Sequence, residues 1–366
     1  MSAPASRDRS RRTATICHGI TVAVVAVLLS ACAASAPARR TAEFTGPSMG
    51  TTWIVKVVSG PDGLAGDDSR AIDRGIRDEL ARINQLMSTW DTTSELSRFN
   101  QSSSLEPFPV APETFEVFRW SVRLWDETGG AMDPSIAPLI DAWGFGVDRS
   151  ATPPDDATLE RLKADTGMSL IEFDPDGRWV RKRRPGVRVD FSALAPGYAA
   201  DRIAAGLAER GLTDFLIDVG GELVGRGTNA EGQAWQVAIE RPQAEGRGVA
   251  RVIPVVDRAI STSGDYRNFR EVDGARVTHI LDPRSGRPVQ HTLASATVLD
   301  ALAVRADALS TALMVMGPDE AMRFAMEHSL PALFLIRRPD GSFEERVSPA
   351  FDDPAAPARL LTKDTP

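Results

Sequence analysis

Apolar residues recur along this 366-residue chain with two periods, and the switch between the periods predicts its elements. From Thr51 to Val58 the run TTWIVKVV reads as a strand. Ala71 to Met87 places Ile72, Ile76, Leu80, Ile83 and Leu86 at helical spacing, which gives one apolar face to bury. Further helices are predicted from Glu113 to Glu127 and from Leu194 to Arg210. Between them, Asp176-Gly177 separates two short strand-like runs within Leu170 to Arg183, a hairpin signal. Beyond Arg210 the pattern turns strand-rich: Phe215 to Val219, Trp235 to Glu240, Val249 to Val256, a hairpin around Asp273-Gly274, and Ser295 to Leu299. Two helices, Ala301 to Met316 and Pro318 to Glu327, and a closing strand from Ala332 to Ile336 end the pattern. Strands in groups, not in strict alternation with helices, predict an α+β fold and not a doubly wound sheet.

The first 31 residues follow another pattern. Arg7, Arg9, Arg11 and Arg12 precede the uncharged run from Ile20 to Leu29, the layout of a secretory signal peptide. That run is about half the ~20 residues a membrane-spanning helix needs. It ends in Leu29-Ser30-Ala31-Cys32, which resembles the lipobox of bacterial lipoproteins. The resemblance implies cleavage before Cys32 and acylation of its thiol; an ordinary signal sequence with an incidental Cys is the alternative. Residues 1–31 are then leader, 32–43 the lipidated Cys and a flexible tether, 44–347 the functional domain, and 348–366 a loosely ordered Pro/Ala-rich tail. The expected location is the bacterial cell envelope, lipid-anchored and facing the periplasm.

Composition narrows this further. Apolar residues make up 42% and charged residues 25%, as in globular proteins. Cys17 and Cys32 are the only cysteines, and both lie in or next to the leader. The domain therefore has no disulfide and no Cys-based metal site or nucleophile. The net charge is −8, and the leader before Cys32 holds four Arg and one Asp, so its removal leaves −11. Such acidity argues against nucleic acid as a partner.

Four polar clusters interrupt the periodic segments, where loops tend to present function. The first joins Met49-Gly50-Thr51-Thr52 with Ser88-Thr89-Trp90-Asp91; Trp90 could stack on a planar ring, although an isolated Trp is more often a core residue. The second is Gly129-Gly130-Ala131-Met132-Asp133-Pro134-Ser135, ending in Trp143-Gly144-Phe145-Gly146. The third runs from Asp190 through Ala193 and Pro196-Gly197-Tyr198, then Asp218-Val219-Gly220-Gly221-Glu222. A small-residue helix start of this kind lets backbone amides meet a phosphate, or simply allows tight helix packing. The fourth combines Ile260 to Tyr266, His279-Ile280-Leu281-Asp282-Pro283 and Ala306 to Ala312. Within it Asp307 and Thr311 are one helical turn apart, so a carboxylate and a hydroxyl share a face and could hold a hard cation such as Mg²⁺. An Asp that merely caps or pairs on a helix is the plainer reading.

In their order and spacing these clusters resemble the FAD:protein FMN transferases of the ApbE family, over about Phe44 to Ile336. The resemblance implies two interlocked subdomains with FAD in the cleft and Mg²⁺ on its pyrophosphate. Met49, Trp90, Ala131, Met132, Asp133, Asp190, Pro196 and Leu281 would line the FAD site. The Ala193 carbonyl with Asp307 and Thr311 would hold the metal. Pro196 stands where many members have Lys or Glu, which removes a polar contact and a backbone donor. Ser310 stands where some have a second carboxylate, which bears on the number of metals.

The implied reaction is attack by a Ser or Thr hydroxyl of an exported or membrane redox protein on the FMN phosphorus of FAD, with AMP leaving. His279 is the candidate base, since an ordinary imidazole titrates near neutral pH, and Asp282 is its competitor. An FAD pyrophosphatase giving FMN and AMP, and a non-catalytic flavin-binding lipoprotein, are the alternatives. A solute-binding lipoprotein would need two alternating α/β lobes, which the strand grouping argues against.

Overall fold

A computed structural model describes residues 38–146, 152–243, 248–266, 269–272 and 275–352, with the backbone alone for 271, 272, 275 and 276. The leader, Cys32 and the Asp273-Gly274 hairpin tip lie outside these residues. Strands β1 (Arg40–Ser48) and β2 (Thr51–Ser59) form a hairpin, followed by helices α1 (Gly66–Met87) and α2 (Glu95–Gln101), strand β3 (Phe108–Pro109) and helix α3 (Pro112–Glu127). Next come α4 (Ala137–Ala142), α5 (Asp156–Lys163), the hairpin β4 (Ile171–Phe173) and β5 (Trp179–Lys182), and helix α6 (Ala195–Glu209). Strands β6 (Phe215–Val219), β7 (Glu222–Arg226), β8 (Trp235–Glu240), β9 (Val249–Val255), β10 (Arg258–Gly264), β11 (Phe269–Val272) and β12 (Ala275–Thr278) follow. The last part holds β13 (Leu281–Asp282), β14 (Arg287–Pro288), β15 (Leu293–Asp300), α7 (Ala303–Glu327), β16 (Ala332–Arg337) and β17 (Phe343–Val347).

The predicted α+β class is what forms. An eight-stranded sheet runs β1-β2-β6-β7-β10-β15-β16-β17, and its neighbours pair antiparallel throughout. Side chains alternate between its faces, as the pleat requires. Val55, Val57, Ile217, Val219, Ala296, Val298 and Phe334 point into the larger core under the helices. Val58, Ile260, Leu299, Leu333 and Leu335 point the other way, into a core closed by Trp235, Val237, Ile253 and Val255 of the β8–β9 hairpin. The sheet is thus a middle layer. No described helix is long and apolar enough to cross a membrane.

Three stretches add to the sequence expectations. A strand precedes Phe44: β1 starts at Arg40 and pairs with β2 along its whole length, although Phe44 is its one buried side chain. The two helices expected at Ala301 to Met316 and Pro318 to Glu327 are present, meeting end to end within α7 across the non-helical Gly317 (φ 77°). The tail is tied down at its start: the Ser348 hydroxyl donates to the Leu330 carbonyl at 2.6 Å and accepts the Ala332 N–H at 2.9 Å. Phe351 is buried, with the Arg251 guanidinium 5.1 Å above its ring.

Candidate active site

The chain folds back on itself at one end of the sheet, and a cleft of about 480 Å³ opens there. Met49 and Gly50, with φ of 51° and 71°, make the two-residue turn between β1 and β2. Positive φ at both positions is what a tight hairpin needs, and Met is an unusual residue to supply it. At the same end, Gly220 and Gly221 (φ 73° and 113°) turn the chain from β6 into β7 and start β7 on Glu222. A Cβ on Gly220 would stand 2.8 Å from the Thr51 side chain, so the two turns are in contact.

Loops bring the other walls. Helix α3 ends at Thr128, whose hydroxyl accepts the Met132 N–H at 3.0 Å, and Gly129 and Gly130 in left-handed conformation lead Ala131-Met132-Asp133 into the cleft. Asp133 is buried and accepts the Ser135 N–H at 2.9 Å. Burial pushes its carboxyl up to about 6, against the pull of that serine. The Asp190 N–H donates to the Pro134 carbonyl at 2.8 Å, which holds Asp190 beside the same loop. Burial also raises the Asp190 carboxyl. Trp90 follows α1, in a loop where Ser88 Oγ accepts the N–H groups of Trp90 and Asp91. It is 59% exposed on the cleft, so the core reading of this tryptophan is overturned.

Asp307 and Thr311 face the cleft from one side of α7, and the Thr311 hydroxyl lies 3.0 Å from Ser263 Oγ. Asp307 is 4% exposed and accepts the Gly197 N–H at 3.2 Å, one of the orphan donors in the first turn of α6. A Cβ on Gly197 would stand 2.4 Å from the Ala303 carbonyl oxygen; only glycine lets α6 and α7 approach this closely. Burial pushes the Asp307 carboxyl up to about 7. Glu222 is raised well above the usual carboxylate range, first by burial and then by the charge of Asp307. None of the ion pairs among the described residues includes either group.

The cleft thus gathers Trp90, Ala131, Met132, Asp133, Asp190, Ala193, His279, Leu281, Asp307 and Thr311 of the sequence candidates. Three stand outside its lining. Met49 packs on the main core at the same sheet end. Pro196 sits in the first turn of α6, where a missing N–H breaks no helical bond. The Asp282 carboxylate is engaged by Arg284, through its backbone N–H and its Nε, each at 2.9 Å. His279 lines the cleft with its ring 6.3 Å from that of Phe145. Sequence reasoning gave no role to Glu222, Tyr266 or Phe145, which also line it. The signal available for Glu222 was an acidic residue directly after a Gly-Gly turn.

Fold and cleft together define a class: an α+β protein whose site joins carboxylates, hydroxyls and an imidazole at one end of an antiparallel sheet. The chain belongs to the ApbE family, which it matches over residues 49–334. It is 40% identical to an FAD:protein FMN transferase of Vibrio cholerae, across 84% of this chain and 91% of that one. It is 37% identical to an FAD:protein FMN transferase of Escherichia coli, across 84% and 87%. Among solved structures, the flavin transferase ApbE of Vibrio cholerae superposes with a TM-score of 0.76 at 39% identity, over 86% of this chain and 98% of that one. The apo flavinyl transferase ApbE of Pseudomonas stutzeri gives 0.78 at 33% identity, over 86% and 96%.

Proposed function

We propose that the protein transfers the FMN moiety of FAD to a Ser or Thr hydroxyl of a client protein and releases AMP. The observation that carries this is the meeting of Asp307, Thr311 and Ala193 with Asp133, Asp190 and His279 in one cleft. Among the described residues no three His, Cys, Asp or Glu side chains converge as a metal cluster. The donors here are of another kind, and they fit a hard divalent cation. Asp307 is a buried carboxylate with no cationic partner among the described residues, Thr311 presents a hydroxyl one turn later, and the Ala193 carbonyl, just ahead of α6, accepts no hydrogen bond from a described residue. Bound there, Mg²⁺ would neutralise charge on the pyrophosphate.

The chain's own groups do the rest. Trp90 offers an aromatic face, and the Ala131–Asp133 loop with Asp190 and Leu281 shapes the wall that orients FAD. His279 takes the proton of the attacking hydroxyl; the hydrogen bonds of Arg284 to the Asp282 carboxylate favour His279 over Asp282 in this role. The hydroxyl oxygen bonds to the FMN phosphorus, the bridging P–O bond breaks, and AMP leaves with that electron pair. The acceptor is an exported or membrane redox protein, met on the same side of the membrane by an enzyme anchored through Cys32. The lipobox-like tetrapeptide supports that anchor.

The test is incubation with FAD and Mg²⁺, with and without a peptide bearing an acceptor Thr, following peptide mass and AMP. The expected result is a mass gain of one FMN, abolished in Asp307→Ala and reduced about 10²- to 10⁴-fold in His279→Ala. AMP released without a peptide adduct points to a hydrolase, and FAD bound but intact to a carrier.

A further inference from the structure

We propose that Glu222 is a second carboxylate of the cation site, acting beside Asp307 from the sheet side of the cleft. This rests on the cation site proposed above and deepens it.

Placement comes first. Glu222 is fixed by the Gly220-Gly221 turn, where the Gly221 N–H donates to Asp218 Oδ1 at 2.9 Å, and by its pairing with Val219. From the first position of β7 its side chain lines the same cleft as Asp307 and Thr311. A line of hydroxyls joins the two sides. Ser261 Oγ lies 3.4 Å from Glu222 Oε1 and 3.4 Å from Ser310 Oγ; Ser310 Oγ lies 2.8 Å from Ser263 Oγ, and Ser263 Oγ 3.0 Å from the Thr311 hydroxyl. Ser310 Oγ also donates to the Asp307 carbonyl at 2.9 Å. The network therefore ties Glu222 to both α7 residues assigned to the cation.

Charge decides the role. An Asp, a Thr and a carbonyl bring one negative charge to a divalent ion. Glu222 brings the second, and Mg²⁺ sites commonly use one or two carboxylates. Two carboxylates that line one cleft, with no Lys or Arg among its described lining residues, repel, and each loses hydration. A divalent cation removes both costs at once. Ser310, which sits between Asp307 and Thr311 and has no charge of its own, is bridged to that carboxylate through Ser261.

The experiment titrates the metal-free full chain with Mn²⁺, in the absence of FAD, and reads free Mn²⁺ by electron paramagnetic resonance. Glu222→Gln keeps the shape and removes the charge. It is expected to weaken Mn²⁺ binding about 10- to 100-fold while the thermal midpoint without metal holds or rises. Glu222→Asp, which keeps the charge on a shorter arm, is expected to fall between, and it decides the matter if the Gln variant does not fold. Unchanged Mn²⁺ affinity in these variants, with binding lost in Asp307→Ala, overturns the role of Glu222 and leaves the cation site standing. Unchanged affinity in Asp307→Ala overturns the cation site itself, and the role of Glu222 with it.

Discussion

The Asp307 carboxyl links the chemistry of the cleft to pH. Its ordinary value is 3.8, and burial in the fold pushes it up to about 7. The folded state therefore holds a proton that the unfolded chain has already released, so this residue's contribution to stability is present below about pH 4 and is lost as pH rises through about 7. A cation reverses the sign by taking the proton's place. The thermal midpoint of the metal-free protein is expected to fall from about pH 5 to about pH 8, and saturating Mg²⁺ to raise it more at the upper end. Asp307→Asn, which titrates at neither end, should flatten both dependences. A slope unchanged in that variant, measured by calorimetry across the same range, assigns the effect to other carboxyls such as Asp133.

One element carries Asp307 and Thr311, the residues proposed to hold the cation, and its start is held from outside. The N-cap position of α7, Leu302, has no side-chain acceptor. Asp201 of α6 reaches across instead, accepting the N–H groups of Ala303 and Val304, each at 2.9 Å. Its carboxylate also opposes the positive end of the helix. Asp201→Ala is expected to cost about 1–2 kcal/mol of stability and to weaken Mn²⁺ binding, because α7 loses its cap and Asp307 its fixed place; a denaturant midpoint and a metal titration check the two parts. That contact was not legible in the sequence, since it depends on α6 and α7 lying against each other. What was legible had a period: β6 and β8 begin and end where the alternation of Phe215 to Val219 and Trp235 to Glu240 places them. Strand β1 escaped because it is an edge strand with one buried residue, and β10 because Ser261, Thr262 and Ser263 read as a polar loop. Spacing on one helix placed Asp307 and Thr311 on a common face, and both line the cleft. Met49 and Asp282 stand outside the cleft lining, Met49 packed on the main core and Asp282 paired with Arg284, contacts that spacing in the sequence does not show.

On the scale of the whole molecule, the cleft is assembled from the loop before α2, the loop after α3, the start of α6, strands β7, β10 and β13, and α7. These segments are distant in sequence, and from Arg39 onward the chain forms one compact unit. Both cysteines of the sequence lie outside the described residues, so the fold there is held by three apolar clusters and by no disulfide. A ligand that touches this many segments opposes the unfolding of all of them. FAD and Mg²⁺ present at about 100 times their dissociation constants should together add about 2.7 kcal/mol or more, a rise of several degrees in a single thermal transition. If the cation sits on the pyrophosphate, each ligand tightens the other by the same factor, so the shift with both should exceed the sum of the separate shifts. Scanning calorimetry with FAD, with Mg²⁺, with both, and with both plus a chelator measures this directly. Strictly additive shifts would mean that nucleotide and cation occupy independent sites, whereas a first transition that moves while a second stays fixed would mean that the two apolar cores on either face of the sheet unfold separately.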